Sequence, residues 1–417
     1  MQMSALDPEE NALNFLSLPM HRGILQANVI ARRLESIIRE AGEGVAEKLY
    51  RGISESVRRG EYEFLTSDRE VSRIIGEAER SAESSLSRNP GIGIPEDPAE
   101  LREFWSGLSK KDKGDLFRAD PFIGNRNGIP RLERDIYNRS TLQTLWDRAQ
   151  ASGDFSQART YDEMTKLLYT SERGHPSFYL SYLDREGRFA IDLDDLDSAD
   201  HAVVLLKPAA RFPIDYAEDT MRQLRQTALR IDPKARTGVT FFGAYDNPHS
   251  MVQSMFPRYA EDGAAMARDF HKGLEITHEG PPAHTTTIGH SYGGVLAGHA
   301  AGHGATLNTD DMVFIGSWGT GVRNVGELSL SGVAPENIGE HVFATMAPSD
   351  SVQLMPKTHG PSPVDPSFGA TVFGSSSTPG EYRWNPQDHS SEHYLDSGNP
   401  ASRNIGLIIT GNGALVK

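Results

Sequence analysis

Gly289-His290-Ser291-Tyr292-Gly293 is the segment of this chain best suited to covalent chemistry. It follows the threonine-rich apolar run Thr285-Thr286-Thr287-Ile288 and opens the small-residue stretch Gly294-Val295-Leu296-Ala297-Gly298, so it reads as strand, sharp turn, helix. That is the pattern of a nucleophile elbow, where a serine on a tight, strained turn presents its Oγ. Only residues without bulk at the flanking positions let strand and helix approach closely enough. In a chain with 40 glycines the pentapeptide alone carries little weight. Its meaning depends on its partners.

A serine hydroxyl is a poor nucleophile at neutral pH and needs a histidine to take its proton and a carboxylate to orient that histidine. On an elbow of this kind the chain order is serine, acid, histidine. Asp350 follows the apolar run Val342-Phe343-Ala344-Thr345-Met346 and is the candidate acid; a turn or helix-capping aspartate is the alternative. Two histidines, His389 and His393, lie beyond Phe373 as candidate bases, of which one can serve. His359 reads as a loop residue, and His290 as one that shapes the elbow. Charge developing on a substrate carbonyl requires backbone N–H donors. Tyr292 supplies the first, and Ala209 or Ala210, in Lys207-Pro208-Ala209-Ala210-Arg211, the second, because proline has no N–H. Arg211 reads as solvated, with a substrate phosphate or carboxylate as its alternative partner. Trp318 and Met355 are candidates for an acyl pocket or for the core.

The elements that must position these groups begin near Ser177. Phe178–Leu183 and Arg188–Leu193, joined by Asp184-Arg185-Glu186-Gly187, predict a hairpin. Apolar runs at Ala202–Leu206, Val239–Phe242, Thr285–Ile288, Met312–Ile315, Val342–Met346 and Ala370–Phe373 follow, with helices such as Tyr216–Leu229 in the early gaps. Eight strands result, mostly suited to parallel crossovers. An α/β-hydrolase sheet is built in this order, and the elbow falls after the fifth strand, where that fold carries its nucleophile.

With 417 residues, 37% hydrophobic and 24% charged, the chain is long enough for two or three domains. Its net charge of −15 argues against nucleic acid or anionic lipid as a partner. The absence of cysteine excludes disulfides, thiolate catalysis and Cys-ligated zinc. No signal peptide or membrane-spanning run is evident, so a cytoplasmic location is the default and leaderless export the alternative. His299 and His303 lack the glutamate of a His-Glu-x-x-His site, and Asp192, Asp194, Asp195, Asp197 and Asp200 lack the glycine and glutamate of a calcium loop. They read as packing and as a solvated connection, and neither a metal nor an organic cofactor is expected. Leu34, Ile38, Ala41, Val45 and Leu49 predict a packed helix face, with a protein partner as the alternative. Prolines and glycines from Asn89 to Pro98 mark a boundary. The resulting division is a helical region over 1–97, a helical lead-in over 98–175 and an α/β-hydrolase domain over 176–417.

The elbow, Asp310-Asp311-Met312-Val313-Phe314-Ile315-Gly316-Ser317-Trp318-Gly319 and the tail from Tyr394 to Gly411 resemble an α/β-hydrolase family of the domain-of-unknown-function type, common in high-GC Gram-positive bacteria. Upstream, Phe104-Trp105-Ser106-Gly107-Leu108, the stretch from Ile123 to Pro130, Arg134-Asp135 and Asn138-Arg139 resemble its helical lead-in. The resemblance implies a serine hydrolase acting on esters or lipid-like acyl groups, with Ser291 as nucleophile and Asp350 as acid. The family's Pro-Gly-rich oxyanion loop is replaced here by Pro208-Ala209-Ala210. Its His-Ser-x-Tyr unit is interrupted, so His389 keeps the His-Ser pair while His393 keeps nearness to Tyr394; His389 is placed first. A thioesterase or phospholipase with the same triad, or an idle fold serving as an interaction or exported module, are the alternative readings.

Overall fold

A computed structural model describes residues 93–169, 177–210, 214–378 and 384–417. The helix face expected in the first 92 residues, and Arg211, lie outside the described residues. Residues 94–147 and 155–417 form one compact unit.

The lead-in consists of helices α1 (Pro98–Ser106), α2 (Lys110–Ala119), α3 (Arg131–Ser152) and α4 (Phe155–Tyr169). Asp97 caps α1 by accepting from the N–H groups of Ala99 and Glu100, with Pro98 in the first turn where its missing N–H costs nothing. Leu101, Trp105, Ile123 and Ile129 form a separate small core, and the Trp105 indole donates to Glu133 at 3.0 Å.

The sheet holds β1 (Phe178–Leu183), β2 (Phe189–Leu193), β3 (His201–Leu206), β4 (Thr237–Gly243), β5 (His284–His290), β6 (Asp311–Ile315), β7 (Val342–Thr345) and β8 (Thr371–Val372). Their order is β1-β2-β4-β3-β5-β6-β7-β8. β1 and β2 form the expected hairpin, β2 is antiparallel to β4, and all later pairings are parallel. Strands buried on both faces read as unbroken apolar runs. Thus Ala202, Val204 and Leu206 join the core that contains Tyr259, Phe270, Val295 and Leu296. Val203 and Leu205 alternate with them and are buried on the opposite face. Helices α5 (Ile214–Ile231), α6 (Arg258–Thr277), α7 (Tyr292–Ala301), α8 (Ser391–Leu395) and α9 (Pro400–Ile409) complete the domain. In α5, Ile214, Ala217, Met221, Leu224 and Ala228 recur at helical spacing and are all buried.

Two members of the acidic run, Asp192 within β2 and Asp197 beyond it, correct the solvated connection expected there. Asp192 is 1% and Asp197 6% exposed. Arg131, from the start of α3, donates to Asp192 at 3.1 Å through its guanidinium and to Asp197 at 2.7 Å through its backbone N–H. Thr240 and Thr277 each donate at 2.6 Å to these two carboxylates. A charge removed from water must be paired in this way, so the lead-in is joined to the sheet by buried ion pairs.

Parallel strands share one polarity, so the ends of β3, β5, β6 and β7 lie along one edge: Leu206 pairs with Gly289, His290 with Ile315, and Ile315 with Thr345. The loops leaving this edge carry Ala209, Ser291, Gly316 and Asp350. Among the described residues, no helix is long and apolar enough to cross a membrane.

Candidate active site

Ser291 sits between β5 and α7 with φ 54° and ψ −123°, a conformation that L-residues rarely adopt. Its neighbours explain how the turn is tolerated. A methyl group in place of Gly289 would lie 2.6 Å from the Gly294 Cα, and one in place of Gly293 would lie 2.2 Å from the Leu206 carbonyl oxygen. Neither position can hold a side chain. The Ser291 N–H donates to Ile315 O at 2.9 Å, extending the β5–β6 ladder into the turn.

His389 comes from the loop after β8. Its Nε2 lies 2.9 Å from Ser291 Oγ, and its Nδ1 lies 3.0 Å from Asp350 Oδ2. Since a carboxylate only accepts, Nδ1 carries the proton and Nε2 faces the serine hydroxyl as acceptor. Ser291 is 7% exposed. The His389 side chain is 23% exposed and that of Asp350 0%, so the carboxylate is sealed from water while the imidazole borders it.

Asp350 also performs the capping role that was its alternative reading: Oδ1 accepts from the Val352 N–H at 2.8 Å at the start of a short 3-10 turn. On its other oxygen, Tyr394 OH donates at 2.6 Å. Burial, and then the negative charge of Asp350, push the Tyr394 phenol well above its ordinary range. Gly316, at φ 54°, closes the other side; a methyl group there would lie 3.0 Å from Asp350 Oδ2 and 3.2 Å from His389 Nδ1. Tyr394 and Gly316 were absent from the sequence-derived site. A glycine directly at the end of β6 was the available signal for one, and the tyrosine just after the histidine pair for the other.

His393 is not with this group. Its Nε2 donates to Ser376 O at 2.7 Å, and its Nδ1 lies 3.6 Å from Asp388. His290 donates from Nε2 to the backbone carbonyl of His389 at 2.8 Å, which leaves Nδ1 to accept from Tyr216 OH at 3.3 Å. Burial, and then the adjacent His389, push its pKa down to about 3, so it stays neutral and holds the loop. His359 is a buried loop residue donating to Ser254 O at 2.6 Å.

Of the two expected oxyanion donors after β3, Ala210 is removed, because its N–H donates to Pro248 O at 2.8 Å. The Ala209 N–H has no partner among the described residues, and neither does that of Tyr292, the first residue of α7. Trp318 is 3% exposed within the core, packed against Tyr292 and His359. Met355 is half-buried against the same core. The His299 and His303 rings stack at 4.6 Å, and no group of His, Cys, Asp and Glu among the described residues is placed to hold a metal ion.

Residues 185–359 match a family model described as alpha/beta hydrolase. This domain has the α/β-hydrolase fold. The match includes Ser291 and Asp350, ends before His389, and leaves helices α1 to α4 outside it. An uncharacterized protein of Mycobacterium tuberculosis is 27% identical over 390 residues, covering 78% of this chain and 56% of the relative. Another, from Mycobacterium bovis, is 27% identical over 225 residues, covering 51% of this chain and 77% of the relative. The chain thus spans about half the length of the first of these, 56%. Among solved structures, carboxyl esterase 2 from the mycorrhizal fungus Tuber melanosporum aligns with 11% identity and a TM-score of 0.35, over 60% of this chain and 90% of that chain. A hormone-sensitive lipase from a metagenome library aligns with 12% identity and a TM-score of 0.35, over 67% of this chain and 98% of that one.

Proposed function

We propose that this α/β-hydrolase is a serine hydrolase that cleaves carboxylic esters through an acyl-serine intermediate. The reading is carried by the continuous hydrogen-bonded row of Ser291 Oγ, the His389 imidazole and the Asp350 carboxylate, at 2.9 and 3.0 Å. Ser291 Oγ attacks the ester carbonyl carbon while His389 Nε2 takes its proton, and Asp350 stabilises the imidazolium that forms. The carbonyl oxygen becomes an oxyanion. It is held by the N–H groups of Tyr292 and Ala209, the first reinforced by the positive end of α7. As the C–O bond breaks, His389 returns the proton to the departing alkoxide and leaves the acyl group on Ser291. Water then attacks the acyl carbon, giving a proton to the same nitrogen; the bond from the acyl carbon to Ser291 Oγ breaks, Oγ takes that proton back from His389, and the carboxylic acid departs from the regenerated serine.

A short-chain nitrophenyl ester tests this by rapid mixing. An initial burst of nitrophenol, stoichiometric with protein and missing in Ser291→Ala, supports an acyl-enzyme. Hydrolysis at the same rate in wild type and Ser291→Ala contradicts it.

A further inference from the structure

Resting on the serine-hydrolase reading above, we propose that Tyr394 is a positioning residue that sets the proton affinity of the Asp350–His389 pair, and thereby the acid limit of Ser291 reactivity. Tyr394 sits on α8, the short helix that begins two residues after His389 and is capped by Ser390. Its side chain is fully buried. The hydroxyl oxygen accepts from the Ala347 N–H at 3.0 Å and donates at 2.6 Å to Asp350 Oδ2. A phenol has one proton to give, and the Ala347 N–H, which can only donate, occupies the acceptor side. The Tyr394 proton is therefore directed at Asp350. His389 Nδ1 donates to the same oxygen at 3.0 Å, so the phenol and the imidazole share one site of negative charge.

Hydrogen bonds to a carboxylate lower its affinity for protons. With Val352 N–H on Oδ1 and two donors on Oδ2, the Asp350 charge is spread over three partners. Without the phenol, more of that charge falls on His389, and imidazolium persists to higher pH. An imidazolium cannot take the serine proton, so the acid limb of reactivity moves upward. The other titratable groups around the pair stay the same in such a variant. His290, from β5, has its ring centre 5.1 Å from that of His389 and is neutral. Its partner Tyr216 lies on α5. Asp388, beside His389, accepts from Ser349 and Thr378, and His393 is placed against Asp388. The turn after β6 contributes Gly316, which carries no charge.

The test is the rate at which a fluorophosphonate labels the full chain between about pH 5 and pH 9. In wild type the rate should rise through one midpoint, and in Tyr394→Phe that midpoint should lie higher by about half a unit to one unit. Replacing Tyr394 with 3-fluorotyrosine retains the packing and makes the phenol a stronger donor, so the midpoint should fall below that of wild type. Lost folding alone reduces the labelled fraction without moving a midpoint. An unchanged midpoint in folded Tyr394→Phe overturns the proposal, as does an unchanged midpoint with 3-fluorotyrosine if Tyr394→Phe does not fold. Those results leave the serine-hydrolase reading standing, whereas wild type that is not labelled at Ser291 overturns both.

Discussion

Ser349 Oγ donates a hydrogen bond to the buried carboxylate of Asp388. Each of the two residues immediately precedes one member of the Asp350–His389 pair, so two adjacent rungs join the loop of Asp350 to that of His389. A backbone bond from Asn385 to Ser349 O at 2.8 Å adds a third. Thr378 and Asn385 donate to Asp388 as well. Asp388→Asn places an amide N–H₂ among donors and should lower kcat by about tenfold to a hundredfold, with a smaller change in KM. Steady-state kinetics on a nitrophenyl ester check this; unchanged kcat contradicts it.

His389→Ala removes the imidazole that touches Ser291 and should reduce kcat by about four to six orders of magnitude. His393→Ala loses the contacts to Ser376 and Asp388 and an edge contact with the Tyr394 ring, none of them to Ser291, and its kcat should stay within about tenfold of wild type. Kinetics on the two variants in parallel are decisive, and equal losses would contradict the assignment.

Gly316→Ala places a methyl group 3.0 Å from Asp350 Oδ2 in a residue whose φ of 54° disfavours any side chain. The backbone penalty alone is about 1–2 kcal/mol. Displacement of the Asp350–His389 pair should lower kcat by about a hundredfold. A melting curve and an activity assay on one preparation separate the two effects. Full activity in the variant contradicts the packing described.

The elbow and the succession of strands along the chain were legible because both are written in local sequence, whereas the placing of β4 between β2 and β3 was not. The small residues at 289, 293 and 294 mark the elbow by their spacing, although only Gly289 is restricted by its near neighbours while Gly293 and Gly294 are restricted by Leu206 and Ser317; strands buried on both faces appear as apolar runs. The choice between His389 and His393 was legible only as a preference for His389. His389 and His393 lie four residues apart in similar polar surroundings, and only the fold of Asn385–Leu395 turns one toward Ser291 and the other toward Ser376. The same limit applies to Asp192 and Asp197: a run of carboxylates looks solvated until Arg131, some 61 positions earlier, is brought against it. Ala209 and Ala210 are told apart by a long-range acceptor, Pro248 O, which takes the N–H of Ala210.

Buried neutral histidines give the protein an acid-sensitive stability. Burial pushes the pKa of His271 down to about 4, while Nδ1 donates to Ala267 O at 2.7 Å and Nε2 lies 2.8 Å from Thr287 Oγ1. In the unfolded chain the pKa is about 6.5. The stabilising contribution is therefore complete above about pH 6.5 and is lost as pH falls toward about 4, amounting to about 3 kcal/mol at its full extent. Buried Asp135, Asp184 and Asp197, raised above the ordinary carboxylate range by desolvation, act in the opposite sense, so the comparison must be differential. His271→Gln should lose less stability than wild type between about pH 6.5 and pH 4 in denaturant melts. Parallel losses contradict this.

The central claim is that Ser291 Oγ is the activated nucleophile, and intact-mass measurement after fluorophosphonate treatment tests it most directly. One adduct per wild-type chain, mapped to Ser291 and missing from folded Ser291→Ala and His389→Ala, is the predicted result. Folded wild type without an adduct, or an adduct retained in Ser291→Ala, would contradict the account.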